Sequence, residues 1–302
     1  MELKVINIFC TVDDFCKQFD ADLAGLLLSE GKPAPTRVPG LCMSEMMTIV
    51  IYFHQLGFRN FKHYYTDYVA VHMASDFPCL VSYTRFVALM GRMLVHLVAF
   101  QLYAMKAEHT GIYFIDSTTL AVCVNQRITS HKVFEGLAER GKTSMGWFFG
   151  FKLHLVVNDK GEIVSWLLTK GNVADNNLEI CKKLALGLTG LIVGDKGYIS
   201  SKVFEALFSQ GLKLVTRIKR NMKNKLVLPK EKLLLRKRGI IETINDQLKN
   251  ISQIEHTRHR SPINFVVNLA AGLIAYSFQE KKPSLIRNVD NDQALGMQLI
   301  QN

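Results

Sequence analysis

Asp116 closes an apolar run, Gly111-Ile112-Tyr113-Phe114-Ile115-Asp116-Ser117-Thr118. Its aromatic and β-branched residues favour a short buried strand with the carboxylate at the open end. A second unit of the same kind, Leu191-Ile192-Val193-Gly194-Asp195-Lys196-Gly197-Tyr198, places Asp195 after another apolar strand. Glu242 follows a strongly basic tract in a helix-like segment. In an open α/β sheet, ligands gather beyond the carboxyl ends of strands, which is where both aspartates are expected. Crowded carboxylates raise one another's pKa, and divalent cations relieve that repulsion. The chemistry implied is metal-assisted phosphodiester chemistry, with activation of a water or a 3′-hydroxyl. Hard oxygen donors suit Mg2+, with Mn2+ as a substitute and two ions expected. Taken one at a time, the aspartates also read as turn residues and Glu242 as a solvated helix charge.

The basic residues tilt that balance. Residues 213–238 contain eleven Lys or Arg and a single acid, Glu231, directly before Glu242. Such a tract is expected to bind phosphates, with Lys219, Arg220 and Lys223 as its central candidates. Glu242, Asn245 and Lys249 are spaced i, i+3 and i+7, along one helix face, and Arg238 lies four residues earlier. Arg238 and Lys249 are therefore candidate DNA contacts, as is Lys196 beside Asp195. A salt-bridged surface without chemistry is the other reading of that face. Lys152 and His154 alternate onto one strand face and either approach DNA or the metal site, or solvate a sheet edge. Trp166 is read as hairpin core in preference to a base-stacking platform.

Positioning these groups requires two kinds of element. Segments 11–29, 44–56, 60–74 and 82–106 have helical spacing, with Thr11, Ser44 and Ser82 as candidate N-caps. Prolines at 33, 35 and 39 make 30–43 a loop. No strand interrupts this part, which reads as an all-helical domain (1–108) whose Arg85 and Arg92 are placed to reach phosphates. From residue 111 the periodicity changes. Strands are expected at 112–116, 147–157 and 162–169, the last two joined by the turn Asn158-Asp159-Lys160-Gly161. Helices at 176–186 and 200–209 alternate with strands at 191–195 and 213–216, and helices follow at 240–254 and 262–278. The fold class is thus α/β with a mixed sheet over 109–282, followed by a polar tail, 283–302.

Composition agrees. At 302 residues the chain can build two cores, and 48% hydrophobic with 21% charged residues excludes a disordered chain. A formal charge of +11 and pI near 9.3 favour an anionic partner, nucleic acid before a membrane surface. The six cysteines include no CxxC pair, as expected of reduced thiols in a cytoplasmic protein. No secretory signal is read at the N-terminus, and the apolar stretch 86–105 carries Arg92 and His96 and needs only a buried helix.

These motifs resemble those of bacterial insertion-sequence transposases of the IS982 family, within the wider group of DDE transposases. Asp116-Ser117-Thr118 resembles the first acidic motif and Gly194-Asp195-Lys196-Gly197-Tyr198 the second. Arg238, Glu242 and Lys249 resemble a Tyr-x2-Arg-x3-Glu-x6-Lys signature in which Leu235 replaces the tyrosine. Gly171-Asn172-Val173-Ala174-Asp175 resembles a motif near a turn, although Asp175 reads more simply as a helix cap before Asn176. The resemblance implies an RNase H-like catalytic domain and Asp116, Asp195 and Glu242 as catalytic metal ligands. It also implies cleavage at element ends, 3′-hydroxyl strand transfer into double-stranded target DNA, and a homodimer or larger synaptic assembly. A metal-dependent nuclease without strand transfer and a non-catalytic DNA-binding protein are the alternatives.

Overall fold

The structure, a computed structural model, describes residues 3–29, 40–144, 146–217, 228–255 and 259–285. Two units each enclose their own core: Met1–Lys106 with Leu248–Gln279, and Ala107–Gln247 with Glu280–Asn302.

The first unit is helical. Helix α1 (Leu3–Ser29) begins eight residues before the expected start, because Val5, Ile8, Val12 and Cys16 continue its apolar stripe into the core. Thr11 is consequently inside the helix, where its hydroxyl donates to the Asn7 carbonyl instead of capping. Helix α2 (Met43–Phe53) is capped by Cys42, whose N–H donates to Glu45 at 2.7 Å. Ser44, expected to be that cap, donates to Asp13 Oδ1 at 2.7 Å and so ties α2 to α1. Helix α3 spans residues 61–72 with a π-turn at its centre. Helix α4 (Tyr83–Tyr103) starts at Ser82, whose hydroxyl accepts from the Arg85 N–H as expected, and tightens to a 3-10 turn at Met90–Met93. By length and composition α4 can cross a membrane, but Phe86, Met93, Leu97 and Phe100 are buried in the unit's own core.

One expectation about domain limits changes. The C-terminal helix Pro262–Ser277 packs in this first unit, not with the strands, since Val267, Ala270, Ala271 and Ile274 share the core of α2 and α4. Eleven of its residues are buried, so no face is left for solvent to satisfy and the helix needs neighbours on all sides.

The second unit is a six-stranded mixed sheet, β1 (Ile112–Cys123), β2 (Glu139–Thr143), β3 (Gly146–Asn158), β4 (Ile163–Lys170), β5 (Gly190–Gly194) and β6 (Leu212–Thr216). The order is β2-β3-β1-β5-β6, and β4 also pairs with β3. β1, β3 and β4 form antiparallel ladders, whereas β1-β5 and β5-β6 are parallel. Gly190 opens β5 at φ +108°, and a β-carbon there would meet the Gly111 carbonyl oxygen at 2.3 Å, so only glycine lets β5 start beside β1. Tyr113, Ile115 and Val156 face a core completed by helices α5 (Leu178–Leu184) and α6 (Ser201–Ser209). Helix α7 (Pro229–Lys237) lies within the basic tract, with Leu234 and Leu235 buried, and α8 (Gly239–Asn250) follows it.

Candidate active site

The carboxylates are placed by the sheet. β1 continues to Cys123, so Asp116 is not at a strand end as the sequence suggested. It continues because β3 pairs with it as far as Cys123↔Phe149. The parallel ladder with β5 does stop early, at Phe114↔Val193. Asp116 and Asp195 each lie two residues beyond that last pair, Asp116 still within β1 and Asp195 one residue past the end of β5. Gly197 packs against this carboxylate: its N–H donates to Asp195 Oδ1 at 2.7 Å, and a β-carbon would come within 2.8 Å of that oxygen.

Helix α8 brings the remaining groups. Asn245 Nδ2 donates to Asp116 Oδ2 at 3.2 Å. Arg238 stands between two acids, with Nη2 paired to Glu242 Oε1 and Nη1 4.0 Å from Asp116 Oδ1. Burial pushes the Asp116 carboxyl up to about 6; Arg238 and the Ser117 N–H oppose this, while Asp195 and Glu242 add to it. Asp116 therefore feels the charge of both other predicted carboxylates. Tyr198, after Asp195, has a buried hydroxyl without a hydrogen-bond partner, and burial followed by Asp116, Asp175 and Asp195 holds it well above the usual phenol range.

The donor chemistry suits a hard divalent cation: carboxylate oxygens beside Asn245 Oδ1, which is buried with no hydrogen-bond partner. Among the described residues, however, no three His, Cys, Asp or Glu side chains are grouped closely enough to hold a metal ion as they stand. The Arg238 guanidinium supplies the neutralising charge in this arrangement.

Next to these acids lies a cavity of about 380 Å³ lined by Asp195, Lys196, Arg217, Arg236, Arg238 and Glu242, with Leu235 and Gly239. Four cations against two acids give it a net positive lining. Leu235 occupies the position where the related signature has tyrosine, and here it is buried.

Asp175 is not a helix cap. Asn177 caps α5, accepting from the N–H groups of Glu179 and Ile180. Asp175 Oδ1 instead accepts from Ser117 Oγ at 2.6 Å and from Lys152 Nζ at 3.0 Å. Lys152 also donates to the Val173 carbonyl at 2.9 Å, and its side chain is only 11% exposed. Its ammonium is thus an internal cation that does not solvate a sheet edge, and it is held through Asp175 to Ser117 beside Asp116. His154 is fully buried on the same face, bonded to Thr169 Oγ1 at 2.9 Å, and burial lowers it to about 4.

The other expected DNA contacts are dispersed. Arg85 and Arg92 are exposed on α4, in the first unit. Lys249 pairs with Glu255 at 2.8 Å. Lys196 is exposed at the cavity. Lys219, Arg220 and Lys223 lie outside the described residues. Sequence reasoning did not single out Asn245, Arg217 or Arg236 as site residues; the i+3 spacing from Glu242 was the available signal for Asn245. Trp166, read as hairpin core, is half-buried opposite Leu155, and Trp147 at the β2-β3 turn is 58% exposed under Lys142.

A mixed sheet carrying neighbouring aspartates, with a glutamate on a helix over one face, is the plan of a transposase/integrase catalytic core. Comparison supports that class. The protein-family model described as "Transposase DDE domain" matches residues 106–262, and the chain belongs to that family. Among solved structures, a piggyBac transposase in a synaptic complex with hairpin DNA superposes with a TM-score of 0.50 at 9% identity. The match covers 91% of this chain and 74% of that one, and it establishes the shared fold. A simian T-cell lymphotropic virus intasome in complex with PP2A regulatory subunit B56 gamma aligns over 60% of this chain and 56% of that chain, at 15% identity. Its TM-score of 0.27 carries no weight for the fold. A search of curated proteins returns no match.

Proposed function

We propose that this chain is a metal-dependent DNA transposase of the IS982 type that cleaves at the ends of an insertion element and joins the freed 3′-hydroxyl to target DNA. The observation carrying the proposal is the placement of Asp116 and Asp195 two residues beyond the last pair of the parallel β1-β5 ladder, with Glu242 linked to Asp116 through Arg238. Family membership supplies the reaction class.

In this reading Asp116, Asp195 and Glu242 hold Mg2+, or Mn2+ in its place, two ions being the expected number, and Asn245 fixes the Asp116 carboxylate through its Oδ2. Bound there, the metal would polarise the scissile phosphate and lower the pKa of the attacking hydroxyl. The chain's own cations do the rest. Lys196, Arg217 and Arg236 present donors to a phosphodiester at the cavity, where the bidentate geometry of arginine suits non-bridging oxygens. Asp175, held by Ser117 and Lys152, braces β1 next to Asp116 from the opposite side chain alternation. The first unit, with Arg85 and Arg92, recognises element ends, and Lys219, Arg220 and Lys223 add phosphate contacts. A homodimer or larger assembly is required to pair two ends, working in the cytoplasm on nucleoid DNA.

The test incubates purified protein and Mg2+ with an oligonucleotide end and a plasmid. Joined product supports transposition; cleavage without joining identifies a nuclease; binding with neither identifies a DNA-binding protein. Replacing Lys219, Arg220 and Lys223 together should weaken DNA binding and lower its salt slope by up to about three contacts' worth. An unchanged slope in the folded variant would contradict that assignment.

A further inference from the structure

The position occupied by Arg238 raises a question that the transposase reading leaves open. A guanidinium sits between Asp116 and Glu242, where that reading needs a divalent cation. We infer that Arg238 is a phosphate-operated gate: it holds the carboxylates in a metal-free arrangement until a DNA phosphodiester enters the adjacent cavity and draws the guanidinium away.

Three observations carry this. The first is that Arg238 belongs to both places, lining the cavity with Lys196, Arg217 and Arg236 while pairing with the two acids. The guanidinium that pairs with the acids is therefore already part of the lining that a phosphate would meet. The second is that its present bonding is incomplete. Arg238 Nη1 is buried without a hydrogen-bond partner, since Asp116 Oδ1 at 4.0 Å lies beyond bonding range. A phosphate oxygen would satisfy that donor. The third is energetic. Glu242 has a side chain 57% exposed, and water screens a pair with so exposed an acid, so the latch is weak enough to be released by one good phosphate contact. Meanwhile a cation and Arg238 cannot both neutralise the same carboxylates without mutual repulsion. Metal and guanidinium therefore compete, and DNA decides the competition.

The consequence is that divalent metal and DNA bind with positive coupling, and reciprocity requires each to strengthen the other by the same factor. A transposase built this way holds its metal only when DNA is in place. The inference rests on Asp116 and Glu242 being metal ligands, and its test separates from that reading because it measures binding, not cleavage.

The experiment follows free Mn2+ by electron paramagnetic resonance while Mn2+ is titrated into the full chain, with and without a saturating duplex oligonucleotide. The same titration of the duplex alone subtracts Mn2+ held by the DNA itself. Wild type should bind Mn2+ at least about tenfold more tightly with DNA present. Arg238→Gln should bind Mn2+ without DNA about as tightly as wild type does with it, and DNA should then change its affinity less than about twofold. Wild-type Mn2+ affinity that is indifferent to DNA would overturn the gate, and this comparison needs no variant to fold. Arg238→Gln that keeps the full DNA-induced gain would overturn it as well. If Mn2+ binding proves uncoupled while joining activity is present, the gate fails and the transposase reading stands. If neither protein binds Mn2+ under any condition, the metal site and the gate fail together.

Discussion

With its carboxyl pushed up to about 6, mainly by burial, Asp116 ionises at a cost to the fold. Its folded pKa lies above the unfolded value, so the penalty is absent below about pH 4, grows from there to pH 6 and is complete above it. Asp116→Asn should therefore stabilise the metal-free protein near neutral pH by on the order of 2 kcal/mol and leave it unchanged near pH 4. Urea unfolding at both pH values checks this; a stability gain equal at both would locate the effect outside titration. Lys152 and Asp175 make the second prediction at this scale. Asp175→Asn leaves a nearly buried ammonium short of a carboxylate and should cost roughly 1–3 kcal/mol, discounted because Asp175 itself is one-third exposed. Adding Lys152→Met should recover part of that loss, and strict additivity in the double-mutant cycle would show that the pair is not coupled.

Among the elements, the apolar runs ending in Asp116 and Asp195 were legible because a buried strand needs β-branched and aromatic residues and tolerates no charge until it leaves the core. The same rule misjudged where β1 ends. Asp116 is half-buried mid-strand, with Asn245 and Arg238 of the α7-α8 segment against it, and no local pattern announces a helix more than a hundred residues away. Helix α7 was hidden in a basic tract whose charge obscured Leu234 and Leu235, the two residues that bury it. The cap reading of Asp175 failed for a related reason: Asn177 two positions later was the better cap, and Asp175 found partners on β1 and β3 instead. The C-terminal helix shows the limit most clearly. Its all-round apolar composition signals burial but not in which core. Because it packs against α2 in the first unit, Ile274→Ala should cost roughly 2–5 kcal/mol and accelerate amide exchange in Met43–Phe53 as well as in its own helix. Faster exchange confined to Pro262–Ser277 would contradict that packing.

At the scale of the whole molecule, the excess of positive charge, the Transposase DDE domain and the facing acids converge on phosphodiester chemistry. Two carboxylates come from one sheet and the third from a helix that the chain reaches only after a basic tract, so the site is complete only in the folded second unit. In the proposed function, charge sets the affinity for DNA, and the acids set what is done to it. The central claim is that Asp116, Asp195 and Glu242 act as one site. Asp116→Asn, Asp195→Asn and Glu242→Gln preserve size while each removes an anionic oxygen. The most direct measurement follows end binding, hydrolysis and joining on one defined DNA substrate for all three variants, with circular dichroism confirming their folds. Each should bind DNA within about threefold of wild type yet lose at least about a thousandfold in both hydrolysis and joining, since misplacing the metal forfeits several kcal/mol of transition-state stabilisation. Near-wild-type joining by any folded member of the three would contradict the account.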